Sequence, residues 1–113
     1  MLKISTHVLD LSRGLPAAGI GVALESEAGS GFRRVSEAVT DSDGRVKSFS
    51  MGHSAAAPGR YRLTFALVQY FASHGVPCFF PEVQIIFDVR DPGEPHHVPL
   101  LLSPFGYSTY RGS

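Results

Sequence analysis

The feature that most constrains this 113-residue sequence is its punctuation: short β-type runs, each closed by a turn, with no alternation of strands and long helices. Leu2 to Leu11 alternates, with Ile4, Thr6 and Val8 on one face and Ser5, His7 and Leu9 on the other. Ser12-Arg13-Gly14-Leu15-Pro16 turns the chain. Ile20 to Leu24 and Phe32 to Thr40 read as the next strands, joined through the flexible Ala28-Gly29-Ser30-Gly31. Asp41-Ser42-Asp43-Gly44 is a compact turn before a short strand, Arg45 to Phe49, and Gly52 to Gly59 is the best loop candidate. Tyr61 to Ala66 is a strand, after which Leu67, Tyr70 and Phe71 take the i, i+3, i+4 spacing of a helix face, with Gly75 as its stop. Val83 to Val89, His96 to Leu102 and Tyr107 to Arg111 complete the series.

Seven or eight strands and one short helix, without a βαβ rhythm, predict an all-β antiparallel β-sandwich. Residues 1–113 read as a single domain, since a chain of this size hides roughly two-thirds of its unfolded surface and can form its own core. Ten basic residues cancel ten acidic ones, so no net field favours nucleic acid or an anionic membrane. The single cysteine, Cys78, excludes an intrachain disulfide and fits a reducing compartment. The opening residues carry no apolar signal-peptide core, and no apolar run approaches the roughly 20 residues of a membrane span, so the expected location is the cytoplasm.

Five histidines are the first candidates for chemistry. His7 lies mid-strand on the polar face, where an imidazole is either structural or a general acid or base with a near-neutral pKa. His96 and His97 are adjacent and so point to opposite faces; one goes to the core or an edge and the other outward. His53 reads as a solvated loop residue and His74 as a partner of the helix C-terminus. No metal-ligand spacing such as Cys-x-x-Cys is present, so neither a dedicated zinc site nor a cofactor is expected. Cys78 sits between Pro77 and Phe79 without an activating pattern and reads as a packed thiol. Arg45, opening a strand after an Asp-Gly turn, is either solvated or aimed into a cleft where paired N–H donors hold a carbonyl or anion. The closing Tyr110-Arg111-Gly112-Ser113 follows directly on a strand, and an ordered strand there would gather an aromatic, a guanidinium and a hydroxyl at one place.

Several of these segments resemble the 5-hydroxyisourate hydrolase family, transthyretin-like enzymes of urate breakdown. The matching stretches are Ile4-Ser5-Thr6-His7-Val8-Leu9-Asp10, Arg13-Gly14-Leu15-Pro16-Ala17, Thr40-Asp41-Ser42-Asp43-Gly44-Arg45, Tyr70-Phe71-Ala72-Ser73-His74-Gly75 and Phe80-Pro81-Glu82-Val83. The most specific is the end, from His97-Val98-Pro99-Leu100-Leu101-Leu102-Ser103-Pro104 to Tyr107-Ser108-Thr109-Tyr110-Arg111-Gly112-Ser113. The resemblance implies a transthyretin-like sandwich of two four-stranded sheets with one short helix. It also implies a homotetramer, a dimer of dimers, with clefts at the dimer–dimer contact. It places the catalytic group on His7, Arg45, His97 and Ser113, and substrate binding on His7, Arg45, Tyr110 and Arg111. The family often has His-Tyr before its second histidine where this chain has Pro95-His96; strand parity and the following Val98-Pro99 favour His97.

The implied reaction is hydrolytic opening of the N1–C6 bond of 5-hydroxyisourate to 2-oxo-4-hydroxy-4-carboxy-5-ureidoimidazoline, with no covalent enzyme intermediate. Two other readings use the same fold: a transthyretin-type carrier of small hydrophobic ligands, and a purely structural sandwich module. Both lack a use for the His, Arg, His set and the Tyr-Arg-Gly-Ser ending.

Overall fold

The computed structural model describes residues 2–51 and 57–113. His53 and most of the expected Gly52 to Gly59 loop therefore lie outside the described residues. The elements run β1 (Lys3–Asp10), β2 (Leu15–Pro16), β3 (Gly21–Ala28), β4 (Gly31–Val39), β5 (Arg45–Val46), β6 (Gly59–Ala66), α1 (Val68–Ser73), β7 (Glu82–Val89), β8 (Pro95–Ser103) and β9 (Gly106–Thr109). One sheet has the order β2-β1-β8-β9, with β5 also on β1; the other is β4-β3-β6-β7. The result is the two-sheet β-sandwich expected from the sequence, but its first sheet holds five strands rather than four, β1, β8 and β9 being joined by the two-residue β2 and β5.

Strict alternation drives the first strand. Ile4, Thr6, Val8 and Asp10 are buried while Ser5, His7 and Leu9 are only partly covered, the period of a strand with one face on the core. Ile4, Val8 and Leu100 share one apolar cluster with Leu24, Leu63, Phe65 and Val83 of the second sheet. Each such side chain contributes about 1.5–3 kcal/mol when fully buried. The helix closes one end of that cluster through Leu67, Tyr70 and Phe71, the three residues whose spacing predicted it. It stops where expected, with His74 as C-cap and Gly75 at φ +65°.

Four details differ from the sequence reading, each for a local reason. β1 and β8 pair in parallel from Lys3↔Pro95 to Asp10↔Leu102, because the chain enters β8 from β7 of the opposite sheet rather than through a hairpin. β3 continues past Leu24 to Ala28 through an irregularity between Leu24 and Glu25, which lets the strand bend without losing its partners. β5 is only two residues long, although Phe49 beyond it still packs into the core. The last strand ends at Thr109, and Gly112 instead makes a separate bridge to His97.

Buried polar groups tie the sheets to their loops. Asp10 accepts hydrogen bonds from the Ser12 N–H (3.0 Å), the Ser12 hydroxyl (2.7 Å), the Arg13 N–H (3.2 Å) and the Tyr70 hydroxyl (2.7 Å). It thereby joins β1, the following turn and α1. Burial works against its ionisation, but the Tyr70, Ser12 and Arg13 donors outweigh burial and hold the carboxyl below its ordinary value. Thr40 acts similarly, donating to the Ala17 carbonyl (2.7 Å) and accepting from the Ile20 N–H (2.9 Å). At Gly44, φ is +75° and a Cβ would overlap the Val8 carbonyl, so the Asp-Gly turn is possible only with glycine.

Because the folded pKa of Asp10 is depressed, its contribution is present above the unfolded value of about 3.9 and fades as pH falls through the folded value. Tyr70→Phe removes one donor and should cost about 1.5–3 kcal/mol. It should also move the acid-unfolding midpoint to higher pH. Circular dichroism across an acid titration checks both, and an unchanged midpoint would remove Tyr70 from the network.

Candidate active site

The outward face of the first sheet carries the candidate residues, and register decides who meets whom. In the antiparallel β1–β5 pair His7 stands opposite Arg45. In the parallel β1–β8 pair Ser5 stands opposite His97. β5 and β8 flank β1, so Arg45, His7 and His97 come from three neighbouring strands although 38 and 52 residues separate them along the chain. The Asp41–Gly44 turn supports Arg45. Asp41 accepts from the backbone N–H of Arg45 (3.0 Å) and of Asp43 (2.9 Å), and the Arg45 N–H is the leading cause of the lowered Asp41 pKa.

An open cleft of about 400 Å³ lies on this face, lined by Lys3, Ser5, Arg45, Lys47, His97 and Ser113 among others. Three cationic side chains and no acidic side chain line it, so its side chains favour an anionic or carbonyl-rich ligand. His97 is the best-defined member. Its Nδ1 lies 2.9 Å from the Ser5 hydroxyl, and its carbonyl accepts from the Gly112 N–H at 2.8 Å. Burial lowers its pKa first, and electrostatic interaction with Arg45 and then His7 adds to the effect. Both favour the neutral imidazole, the form that a general base requires.

His7 adjoins this cleft rather than lining it. Its Nε2 lies 2.9 Å from the Asp43 carbonyl. A carbonyl only accepts, so that bond puts the proton on Nε2 and leaves Nδ1 with the free lone pair. The terminal segment divides: Ser113 lines the cleft, whereas Tyr110 and Arg111 line a second cavity elsewhere in the fold. Arg111 pairs with Glu94 at 3.1 Å on the exposed surface. The remaining candidates have structural partners: His74 Nδ1 bonds the Tyr70 carbonyl (2.8 Å) and the Cys78 thiol the Phe80 carbonyl (2.9 Å).

Sequence reasoning missed two residues here. Ser5 was placed on the face of His7 by alternation, but only the parallel register brings it to His97. Gly112 was noticed only as part of the ending. A Cβ on Gly112 would lie 2.5 Å from His97 Cδ2, so glycine lets the terminal segment pass directly against the imidazole.

Residues 4–112 match the HIUase/Transthyretin family. The chain is 46% identical over 110 residues to a 5-hydroxyisourate hydrolase of Salmonella typhimurium, covering 97% of this chain and 80% of that protein. Among solved structures it is similar to Klebsiella pneumoniae 5-hydroxyisourate hydrolase, with a TM-score of 0.83 at 39% identity, covering 98% of this chain and 99% of the other. Sea bream transthyretin in complex with thyroxine superposes with a TM-score of 0.85 at 25% identity, covering 96% and 93% of the two chains.

Two substitutions read the geometry directly through the imidazole signals of His97. Arg45→Gln removes a positive neighbour and should raise the His97 pKa, measured by nuclear magnetic resonance titration. Gly112→Ala should displace the ring, perturb the Ser5 contact and free the terminal segment. Unaltered His97 shifts in both variants would show that neither residue acts on it.

Proposed function

Because this chain belongs to the HIUase/Transthyretin family, we propose that the cleft of Arg45, His97 and Ser113 hydrolyses 5-hydroxyisourate at its N1–C6 bond, in urate degradation. The observation that carries this reading is the half-buried His97, its pKa lowered, set with Arg45 in one cleft lined by cationic side chains. Overall shape does not separate enzyme from carrier, since transthyretin superposes as well as the hydrolase does. Sequence does: the hydrolases are 39–46% identical and that transthyretin 25%.

In the proposed mechanism the Nδ1–H of His97 donates to Ser5, which leaves Nε2 free to take a proton from water. The water oxygen bonds to C6 as that proton leaves, and Arg45 stabilises the resulting oxyanion. The imidazolium then returns its proton to N1 as the N1–C6 bond breaks, and C6 departs as the carboxyl group of the product. His7, with Nε2 engaged by Asp43, offers Nδ1 to orient the water. Ser113 contributes a hydrogen bond to the substrate. Tyr110 and Arg111 act through the placement of the terminal segment, which Arg111 anchors at Glu94. All bonds made and broken are accounted for by water and one shuttled proton, so the step uses no cofactor.

The proposed working form is a homotetramer, a dimer of dimers, with the clefts completed at the contact between dimers. Among the described residues β7 and β9 each pair on one side only, and Ile86, Phe105 and Tyr107 are exposed. Unpaired edges with apolar side chains are templates for association. No described helix is long and apolar enough to cross a membrane, and the unpaired thiol of Cys78 accords with a cytoplasmic setting.

The test generates 5-hydroxyisourate in situ with urate oxidase and follows its ultraviolet decay with and without the protein. Acceleration over the spontaneous rate is expected, and its absence would leave the carrier reading standing. His97→Ala should lower turnover by about 10²- to 10⁴-fold while the mass in sedimentation stays at roughly four chains.

A further inference from the structure

The second cavity lies on the other face of the same sheet, and it contains a polar group that the hydrolytic reading does not use. β8 sends His96, Val98, Leu100 and Leu102 inward, and the register sets His96 beside Ile4, in the apolar interior. An imidazole interrupts a pattern that is otherwise aliphatic. His96 is 5% exposed, and its buried Nδ1 has no hydrogen-bond partner among the described residues. Buried polar atoms are nearly always paired, so this one calls for a physical explanation.

The space beside it supplies one. A cavity of about 150 Å³ is lined by His96, His97 and Val98 from β8, Ile85 and Phe87 from β7, and Thr109 and Tyr110 after the last turn, with Asp88 and Arg111 at its rim. It exists because β9 covers β8 only from Leu100 to Ser103, so residues 96 to 98 have β1 on one side and only the single Gly112 bridge on the other. The cavity is partly open to the surface, and a volume of this size accommodates a single benzene-sized ring. The charges at its rim are already engaged: Asp88 pairs with Arg60 (2.8 Å) and Arg111 with Glu94 (3.1 Å). A charged ligand would therefore find no free counter-ion there, whereas a neutral one loses nothing.

We propose that this cavity is a binding site for a neutral, one-ring aromatic carrying a single hydroxyl, a phenol-class ligand whose hydroxyl pairs with the imidazole of His96. The flat ring fills the space between Phe87, Ile85 and Val98. The hydroxyl suits either tautomer of His96, since it both donates and accepts. His97 borders both spaces, but His96 borders this cavity and not the cationic cleft, which would take a substrate of opposite character.

The test titrates isotope-labelled full-length protein, in the assembly it forms, with phenol and separately with benzene, reading the His96 ring nitrogens and the methyl signals of Ile85 and Val98. Phenol should bind saturably, about tenfold more tightly than benzene, the difference of one net hydrogen bond. His96→Leu keeps an apolar side chain there but removes the nitrogen, and should equalise the two affinities. Ile85→Phe, on the opposite sheet, should abolish binding of both by filling the cavity, and it keeps the test open if the histidine variant fails to fold. No saturable phenol shift, equal affinities in the unaltered protein, or phenol binding undiminished by Ile85→Phe would each overturn the proposal. None of these readings depends on hydrolysis, so the outcome stands apart from that of the activity assay.

Discussion

The parallel ladder between β1 and β8 is the contact on which the rest of this molecule depends. It joins the two ends of the chain over eight residue pairs, from Lys3↔Pro95 to Asp10↔Leu102. Parallel neighbours cannot be linked by a hairpin, so everything between them has to travel through the second sheet and back. That path forms the sandwich and closes the core. The same ladder sets Ser5 against His97, and β5 on the other side of β1 adds Arg45. Slipping the ladder by one residue would exchange inward and outward faces together, moving His97 into the core and His96 to the surface.

One sheet therefore carries two unlike environments less than a strand's thickness apart. Outward lie the basic side chains and the half-buried His97, where desolvation and neighbouring charge lower the pKa of the imidazole. Inward lies an apolar cavity with an imidazole of its own. The terminal segment serves both: Ser113 and Gly112 meet the outward face, and Thr109 and Tyr110 the inward one. Two contacts oppose the fraying usual at chain ends. The segment's backbone is bridged to His97, and its guanidinium is tied to Glu94.

The relation to transthyretin shows how little of the function resides in the fold itself. Two different proteins, a hydrolase and a transthyretin in complex with thyroxine, superpose on this chain almost equally well. Function is therefore argued from the side chains of the site rather than from the scaffold. Here those side chains are supported by loops rather than by the core. Asp41 braces Arg45, and the Asp43 carbonyl fixes the tautomer of His7.

Much was legible from sequence because it depends on short-range rules. Alternation in β1 determined the face of His7, the spacing of Leu67, Tyr70 and Phe71 the helix, and the Asp-Gly turn the start of β5. The motifs at both ends also named a family, and with it an expected reaction. Two things escaped because they depend on pairing between distant residues. The parallel sense of β1 and β8 comes from the route of the whole chain. Tyr110 and Ser113, neighbours in one motif, part company because the chain turns back at Gly112 against His97, a close approach that only the tertiary packing requires.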